Sequence, residues 1–186
     1  MNCTLVIGGA RSGKSALAER LAHESGKEVV YLATAHAGDG EMGARIAHHR
    51  ERRPAHWRTV EESLLLAGTL RRECAPDRLV LVDCLTLWLT NLMLSGEAPL
   101  AESGELVLPP GFGHERAALL DLLQTGLPGE LVLVSNEVGM GIVPLGALSR
   151  RFADEAGRLN QEVAARADRV ILVAAGLPLV LKGAPC

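Results

Sequence analysis

The feature that most constrains the fold is the stretch Gly8–Ser15, which matches the phosphate-loop pattern G-x-x-x-x-G-K-[ST] at every required position. Glycines let the backbone curl so that successive N–H groups point at one phosphate chain. In such a loop Lys14 reaches the β- and γ-phosphates, and the Ser15 hydroxyl can bind Mg²⁺. The residues predicted to bind a nucleoside triphosphate are therefore Gly8, Gly9, Ala10, Arg11, Ser12, Gly13, Lys14 and Ser15.

The flanking sequence provides the context that this motif needs. Residues 3–7 form a short apolar run typical of a buried parallel strand, and residues 16–22 have the apolar face of a helix. The positive N-terminal end of that helix would face the phosphates. An ordinary glycine-rich turn is the alternative, but the complete motif between a strand and a helix favours nucleotide binding.

Length and charge limit the class of protein. The chain has 186 residues, which predicts one domain over 1–186. Its 19 Lys and Arg residues against 22 Asp and Glu residues give no reason to expect nucleic acid as a partner. No apolar run approaches the ~20 residues of a membrane span. The four scattered cysteines indicate reduced thiols in a cytoplasmic protein, and not a disulfide framework or a zinc site.

Apolar runs and helical patterns alternate along the rest of the chain. Strands are predicted at 28–34, 78–84, 130–135, 168–174 and 177–182, a short strand or an extended segment at 57–61, and helices at 41–53, 63–72, 86–94, 114–125 and 148–166. The last two strands flank Gly176 and predict a hairpin, and Ser63 is expected to cap the second helix. Residues 96–113 contain four glycines and three prolines and are interpreted as a mobile insertion. The alternation predicts an α/β fold, a single-domain P-loop NTPase (RecA-like) with a mainly parallel sheet covered by helices and a C-terminal hairpin.

Polar residues end two of these strands. Asp83 follows the apolar run 78–82. In phosphate-loop proteins such a strand is expected beside the first one, with its carboxylate reaching Mg²⁺. The alternative is that Asp83 caps the next helix. Thr34 and Ala35 end the second strand, at the edge where open α/β sheets place ligands.

A basic cluster forms the second candidate centre. It consists of Arg45, His48, His49, Arg50, Arg52 and Arg53. A neutral imidazole can attack the α-phosphate of a nucleotide while the arginines balance the spreading negative charge. Cationic residues late in a helix are also common on solvated surfaces, so the residues alone leave both interpretations open.

Five segments together resemble one family: residues 8–15, 41–49, 53–59, 136–144 and 151–161. This family is the bifunctional adenosylcobinamide kinase/adenosylcobinamide-phosphate guanylyltransferase of cobalamin biosynthesis. The resemblance extends from Met1 to about Lys182 and leaves out the 96–113 loop. The histidine stretch and the segment Asn136–Pro144 are its distinctive parts.

The resemblance implies two reactions. ATP or GTP phosphorylates the hydroxyl of the aminopropanol arm of adenosylcobinamide. GTP then transfers GMP to a histidine, and adenosylcobinamide phosphate takes up the GMP to give adenosylcobinamide-GDP. The guanylylated histidine corresponds to His48, with His49 as the alternative that the sequence alone does not separate.

The resemblance also implies ligands and an assembly. The implied nucleotide contacts outside the loop are Thr34, Ala35, Arg50, Glu51, Arg52, Arg53, Glu61 and Asp83. Mg²⁺ is expected at Ser15 and Asp83, the substrate is a corrinoid, and the family forms a homo-oligomer, a trimer.

Two other functions remain to be weighed. A P-loop small-molecule kinase without guanylyl transfer would need the loop and Asp83 but no nucleophilic histidine. A regulatory GTP-binding switch would need a guanine-reading N-K-x-D element, and no such run occurs in the sequence.

Overall fold

A computed structural model describes residues 2–35, 54–96 and 107–184. The strands in these ranges are β1 (Asn2–Gly8), β2 (Glu28–Ala33), β3 (Arg58–Glu61), β4 (Arg78–Asp83), β5 (Glu130–Asn136), β6 (Arg169–Ala174) and β7 (Leu177–Lys182). The helices are α1 (Lys14–Glu24), α2 (Leu66–Glu73), α3 (Leu85–Leu94), α4 (Pro110–Thr125) and α5 (Ala147–Arg166).

The strands form one sheet in the order β3-β2-β4-β5-β1-β6-β7. All neighbouring pairs are parallel except β6 and β7, which form an antiparallel hairpin. The hairpin turn contains Ala175 and Gly176, which have φ angles of 52° and 80°. The predicted fold class, a mainly parallel sheet covered by helices with a C-terminal hairpin, is confirmed.

Helices cover both faces of the sheet because successive strand residues point to opposite sides. In β1, the side chain of Leu5 packs in the larger cluster under α2, α3, α4 and α5, which also contains Trp88. The neighbouring Val6 packs in the smaller cluster under α1, together with Leu17. The strands are therefore apolar almost without interruption, as expected for a sheet buried on both faces.

The strand order corrects one expectation. The strand that ends at Asp83 does not lie beside β1, because β5 is inserted between β4 and β1. Asp83 is instead opposite Ala33 of β2 on one side and Val134 of β5 on the other. The carboxyl ends of β1 and β4 still lie at the same edge of the sheet, since β1, β5 and β4 are all parallel.

Two helix starts also differ from the prediction. Ser63 does not cap α2, which begins at Leu66; the N–H groups of Leu64 and Leu65 donate instead to Glu62 Oε1, at 2.8 and 2.9 Å. Helix α4 begins at Pro110, four residues before the predicted start. Residues 110–113 are therefore helical and not part of a loop.

Two predictions lie outside the described residues: the helix at 41–53 and most of the 96–113 insertion, namely 97–106. Within the described residues, none of the helices has the length and apolar character required to cross a bilayer. Cys3, Cys74 and Cys84 are free and buried.

A buried carboxylate links two helices on one face of the sheet. Glu155 of α5 has a side chain only 4% exposed, and it lies within ion-pair distance of three arginines. Its carboxylate is 2.7 Å from Arg158, 3.3 Å from Arg151 and 3.5 Å from Arg116 of α4. The charge of Glu155 is therefore compensated by contacts within α5 and across to α4.

We expect Glu155→Gln to lower the free energy of unfolding by about 2 kcal/mol, because three arginines, two of them half-buried, lose the charge of their common partner. The midpoint and slope of urea unfolding measure this change. Glu24→Gln is the matched control, since Glu24 forms only an exposed pair with Arg20 at 3.9 Å and should change stability by less than about 0.5 kcal/mol. Equal effects of the two substitutions would contradict the structural role of Glu155.

Candidate nucleotide-binding site

The phosphate loop connects the end of β1 to the start of α1. Ser12 N–H donates to the Gly9 carbonyl at 3.2 Å, which closes the turn. Arg11 and Gly13 have φ angles of 57° and 96°, in the left-handed region that glycine favours. Gly13 directly precedes Lys14, the first residue of α1, and its carbonyl accepts the Leu17 N–H at 3.0 Å. The loop is thus curled and continuous with the helix, as the motif predicts.

Neighbouring elements hold this loop from both sides. Glu137 N–H, just after β5, donates to the Gly8 carbonyl at 3.0 Å. Gly176 N–H, in the β6–β7 turn, donates to the Ser12 carbonyl at 2.8 Å. The position of the loop therefore depends on the two strands that flank β1.

The first glycine of the motif is in close contact with its surroundings. A Cβ atom on Gly8 would lie 2.5 Å from the Val173 carbonyl oxygen and 2.6 Å from Ser12 Oγ. A Cβ atom on Gly9, by contrast, would meet nothing within 4 Å. The packing thus explains why the motif requires glycine at position 8 and accepts other residues at position 9.

Lys14 is buried, and its ammonium group donates to the Gly9 carbonyl at 3.1 Å. Burial lowers the pKa of Lys14, while electrostatic interactions with Cys84 and Asp83 oppose that change. Lys14, the first residue of α1, and Asp83, the last residue of β4, therefore lie close enough to interact electrostatically. A desolvated cation beside curled backbone amides is suited to bind phosphate oxygens.

Asp83 ends β4, and its Oδ2 accepts a hydrogen bond from the Tyr31 hydroxyl at 2.9 Å. The N-cap of α3 is Cys84, and this position makes no side-chain capping bond, which argues against Asp83 as a helix cap. Within the described ranges, no group of three or more His, Cys, Asp or Glu residues could hold a metal. One hydroxyl and one carboxylate, from Ser15 and Asp83, nevertheless fit Mg²⁺, which takes few protein ligands when phosphate oxygens complete its shell.

The predicted contact Thr34 is completely buried between two strand ends. Its hydroxyl donates to the Cys84 carbonyl at 2.7 Å and accepts the Cys84 N–H at 2.8 Å. Its carbonyl accepts a hydrogen bond from Asn91 Nδ2 at 2.8 Å. Thr34 therefore fixes the end of β2 against β4. Ala35 follows it half-buried, and Glu61 ends β3 opposite Ala33.

Sequence reasoning missed a polar network beside the loop. Asn136 ends β5 opposite Gly8 of β1, and its Nδ2 donates to Thr86 Oγ1 at 2.6 Å. Asn160 Nδ2 of α5 donates to the Asn136 carbonyl at 3.1 Å, and Asn160 Oδ1 accepts from Ser135 Oγ at 2.6 Å. The signal was available, because Asn136 ends an apolar strand in the same way as Asp83.

The structure does not describe the basic cluster. His48, Arg50, Glu51, Arg52 and Arg53 lie outside the described residues. The structure therefore brings together the phosphate loop, Asp83, Thr34 and Ala35 at the carboxyl edge of the sheet, and the assignment of the histidine remains a prediction.

The fold and the curled loop define the chain as a P-loop NTPase of the α/β class. Two solved structures show the same fold. One is an ATPase of a bacterial type III secretion system, with a TM-score of 0.52 and 15% identity over 96% of this chain and 56% of that chain, so little more than half of the ATPase is matched. The other is the flagellar accessory protein FlaH from Methanocaldococcus jannaschii, with a TM-score of 0.50 and 12% identity over 98% of this chain and 78% of that chain.

Sequence comparison gives the family. Residues 4–181 match the family described as cobinamide kinase / cobinamide phosphate guanyltransferase, and the chain belongs to this family. It is 60% identical to the bifunctional adenosylcobalamin biosynthesis protein CobP of Pseudomonas aeruginosa, over 97% of this chain and 98% of the relative. It is 44% identical to the corresponding CobU proteins of Salmonella typhimurium and Escherichia coli, over 96% of this chain and 98% of each relative. The predicted resemblance is confirmed.

Gly8→Ala should weaken the binding of a nucleoside triphosphate by roughly tenfold or more, because the new methyl group would collide with the fixed carbonyl of Val173 and displace the loop. Gly9→Ala is the control, since its methyl group meets no protein atom within 4 Å. Titration calorimetry with GTP measures both variants, after circular dichroism has shown that they are folded. Similar affinities for the two variants would contradict the packing argument.

The thiol of Cys84 should resist alkylation in the folded protein. Burial, with a smaller contribution from the charge of Asp83, raises the pKa of Cys84 to about 11. The thiol is therefore protonated below that pH, and about one molecule in a thousand carries the reactive thiolate at pH 8. Iodoacetamide at pH 8, followed by peptide mass spectrometry, should find Cys84 unmodified until guanidinium unfolds the chain. Rapid modification of Cys84 in the native protein would refute this.

Proposed function

We propose that this protein phosphorylates adenosylcobinamide with ATP or GTP, then transfers GMP from GTP through a guanylyl-histidine to adenosylcobinamide phosphate. The product is adenosylcobinamide-GDP, in adenosylcobalamin biosynthesis. The observation that carries the proposal is an intact phosphate loop, with a buried Lys14, in a chain that belongs to the cobinamide kinase / cobinamide phosphate guanyltransferase family.

In the kinase reaction, the hydroxyl oxygen of the aminopropanol arm forms a bond to the γ-phosphorus, and the bond from this phosphorus to the β–γ bridging oxygen breaks. The amides of Gly8–Ser15 and the ammonium of Lys14 balance the charge on the nonbridging and leaving oxygens. Ser15 and Asp83 would hold Mg²⁺, which supplies further charge neutralisation when bound. The hydroxyl loses its proton, and the nucleoside diphosphate leaves.

In the transferase reaction, the neutral imidazole of His48 attacks the α-phosphorus of GTP, and pyrophosphate leaves. The phosphoramidate is then attacked by a phosphate oxygen of adenosylcobinamide phosphate, which regenerates the imidazole. The arginines at 50, 52 and 53 carry positive charge close to His48 in the sequence. The covalent phosphoramidate divides one difficult exchange into two easier in-line displacements.

The remaining assignments follow the family. Thr34, Ala35, Arg50, Glu51, Arg52, Arg53, Glu61 and Asp83 are proposed to contact the guanine nucleotide. A homotrimer in the cytoplasm, with a corrinoid substrate and without nucleic acid, completes the proposal.

The test is to incubate the protein with Mg²⁺ and GTP labelled in the α-phosphate. We expect label on the protein that is labile in acid and stable in alkali, because a phosphoramidate has this behaviour. His48→Ala should lose the label, whereas His49→Ala, its matched control, should retain it. Lys14→Ala should weaken both labelling and phosphorylation of adenosylcobinamide, since both reactions use the same triphosphate anchor.

Each contrary result has a distinct meaning. Absence of label from the wild type, under conditions where GTP binds and adenosylcobinamide is phosphorylated, would leave a P-loop small-molecule kinase. Loss of label only in His49→Ala would show that His49, and not His48, carries the guanylyl group. Equal loss of kinase and transferase activity in His48→Ala would give His48 a structural role.

A further inference from the structure

The loop between β5 and α5, residues 137–146, exposes a run of large apolar side chains. The exposed fractions are 80% for Met140, 98% for Ile142 and 97% for Leu145, with Val143 at 71%. Contiguous exposed apolar surface of this kind usually marks a binding site. Glu137 is the one charged residue in the loop, which therefore suits an uncharged ligand group.

Hydrogen bonds fix the backbone of this β5–α5 loop at both ends. Glu137 Oε1 accepts the Gly139 N–H at 2.6 Å, and Glu137 N–H donates to the Gly8 carbonyl at 3.0 Å. At the other end, Arg150 Nη1 donates to the Pro144 carbonyl at 3.1 Å. The apolar side chains between these points are therefore presented by a backbone with defined anchors.

The loop begins directly beside the phosphate site. Asn136, the last residue of β5, is opposite Gly8, the first residue of the phosphate loop. The first anchor of the β5–α5 loop is the Gly8 carbonyl itself. A ligand bound at the start of this loop would therefore lie beside the phosphate loop.

The apolar surface continues into the first turns of α5. Leu148 and Phe152 line a cavity of about 250 Å³ with Met93 and Leu94 of α3. This volume is below the range of about 300–1,000 Å³ found for pockets that enclose a drug-sized ligand. The cavity alone could take only the edge of a larger molecule, whose remaining surface would need the adjoining loop.

We propose that the β5–α5 loop binds the corrin macrocycle of the acceptor, with Met140 and Ile142 as the principal contacts. This inference rests on the proposed function and names the surface that holds its substrate. A corrin ring is broad, bears methyl groups and carries the reactive hydroxyl on a flexible aminopropanol arm. The apolar loop fits the ring, and the phosphate loop beside it fits the group at the end of the arm. The two parts of the substrate thus meet surfaces of matching chemistry.

The test compares Met140→Ser and Ile142→Ser in the full-length protein. Each should raise the KM for adenosylcobinamide in the kinase reaction about tenfold, because contact with one large apolar side chain contributes roughly that factor. The KM for GTP and the labelling of the protein by α-labelled GTP should stay unchanged. Direct retention of adenosylcobinamide, measured from its absorbance after ultrafiltration, should fall by the same factor.

Leu181→Ser is the matched control, because Leu181 is 57% exposed and lies near the end of β7. This end of β7 is next to the start of β6, whereas the β5–α5 loop follows the carboxyl end of β5. An unchanged KM for adenosylcobinamide in both loop variants would overturn the inference while the proposed function stands. If the loop variants differ from the wild type in oligomeric state on gel filtration, this would also overturn the inference and would assign the loop to contacts between copies of the chain. Failure of the wild type to phosphorylate adenosylcobinamide would reject the proposed function, and the inference with it.

Discussion

Two backbone hydrogen bonds determine where the nucleotide site can form. The Gly8 carbonyl accepts from Glu137 N–H and the Ser12 carbonyl accepts from Gly176 N–H, so the phosphate loop is held by the elements on either side of β1. A curled loop has to keep its amides directed at one anion, and its own turns supply few restraints for this. The neighbouring strands supply the rest, which is why the close approach at Gly8 accepts no side chain.

The same edge of the sheet combines a small number of charges with a large number of fixed dipoles. Lys14 is buried and destabilised as a cation by its loss of water, and Asp83 is held by the Tyr31 hydroxyl. Around them, Thr34 and Asn136 use their side chains to fix strand ends. Because these groups are already oriented, little reorganisation is needed when a triphosphate binds. The part of the site that would hold phosphate is thus fixed by hydrogen bonds, whereas the adjoining β5–α5 loop is apolar.

Patterns of neighbouring residues predict the structural elements that are formed by neighbouring residues. The phosphate loop, the apolar strands and the β6–β7 hairpin follow from residue types at short spacing, and all are found. The insertion of β5 between β4 and β1 depends on pairing between distant segments, which no local pattern encodes. The start of α4 was misread because Gly111 and Gly113 indicate a loop, although Pro110 is well suited to the first helical position and burial of Phe112 outweighs the glycines.

The position of β1 has a consequence for the order of folding. Its two partners, β5 and β6, are separated from it by more than a hundred residues, so both edges of the first strand stay unpaired until the last third of the chain is available. Contacts of this separation require closure of long loops and slow the search for the native state. During synthesis, β2, β3 and β4 can pair with one another well before β1 finds a neighbour. The segment with the most demanding geometry is therefore among the first to be made and among the last to reach its final form.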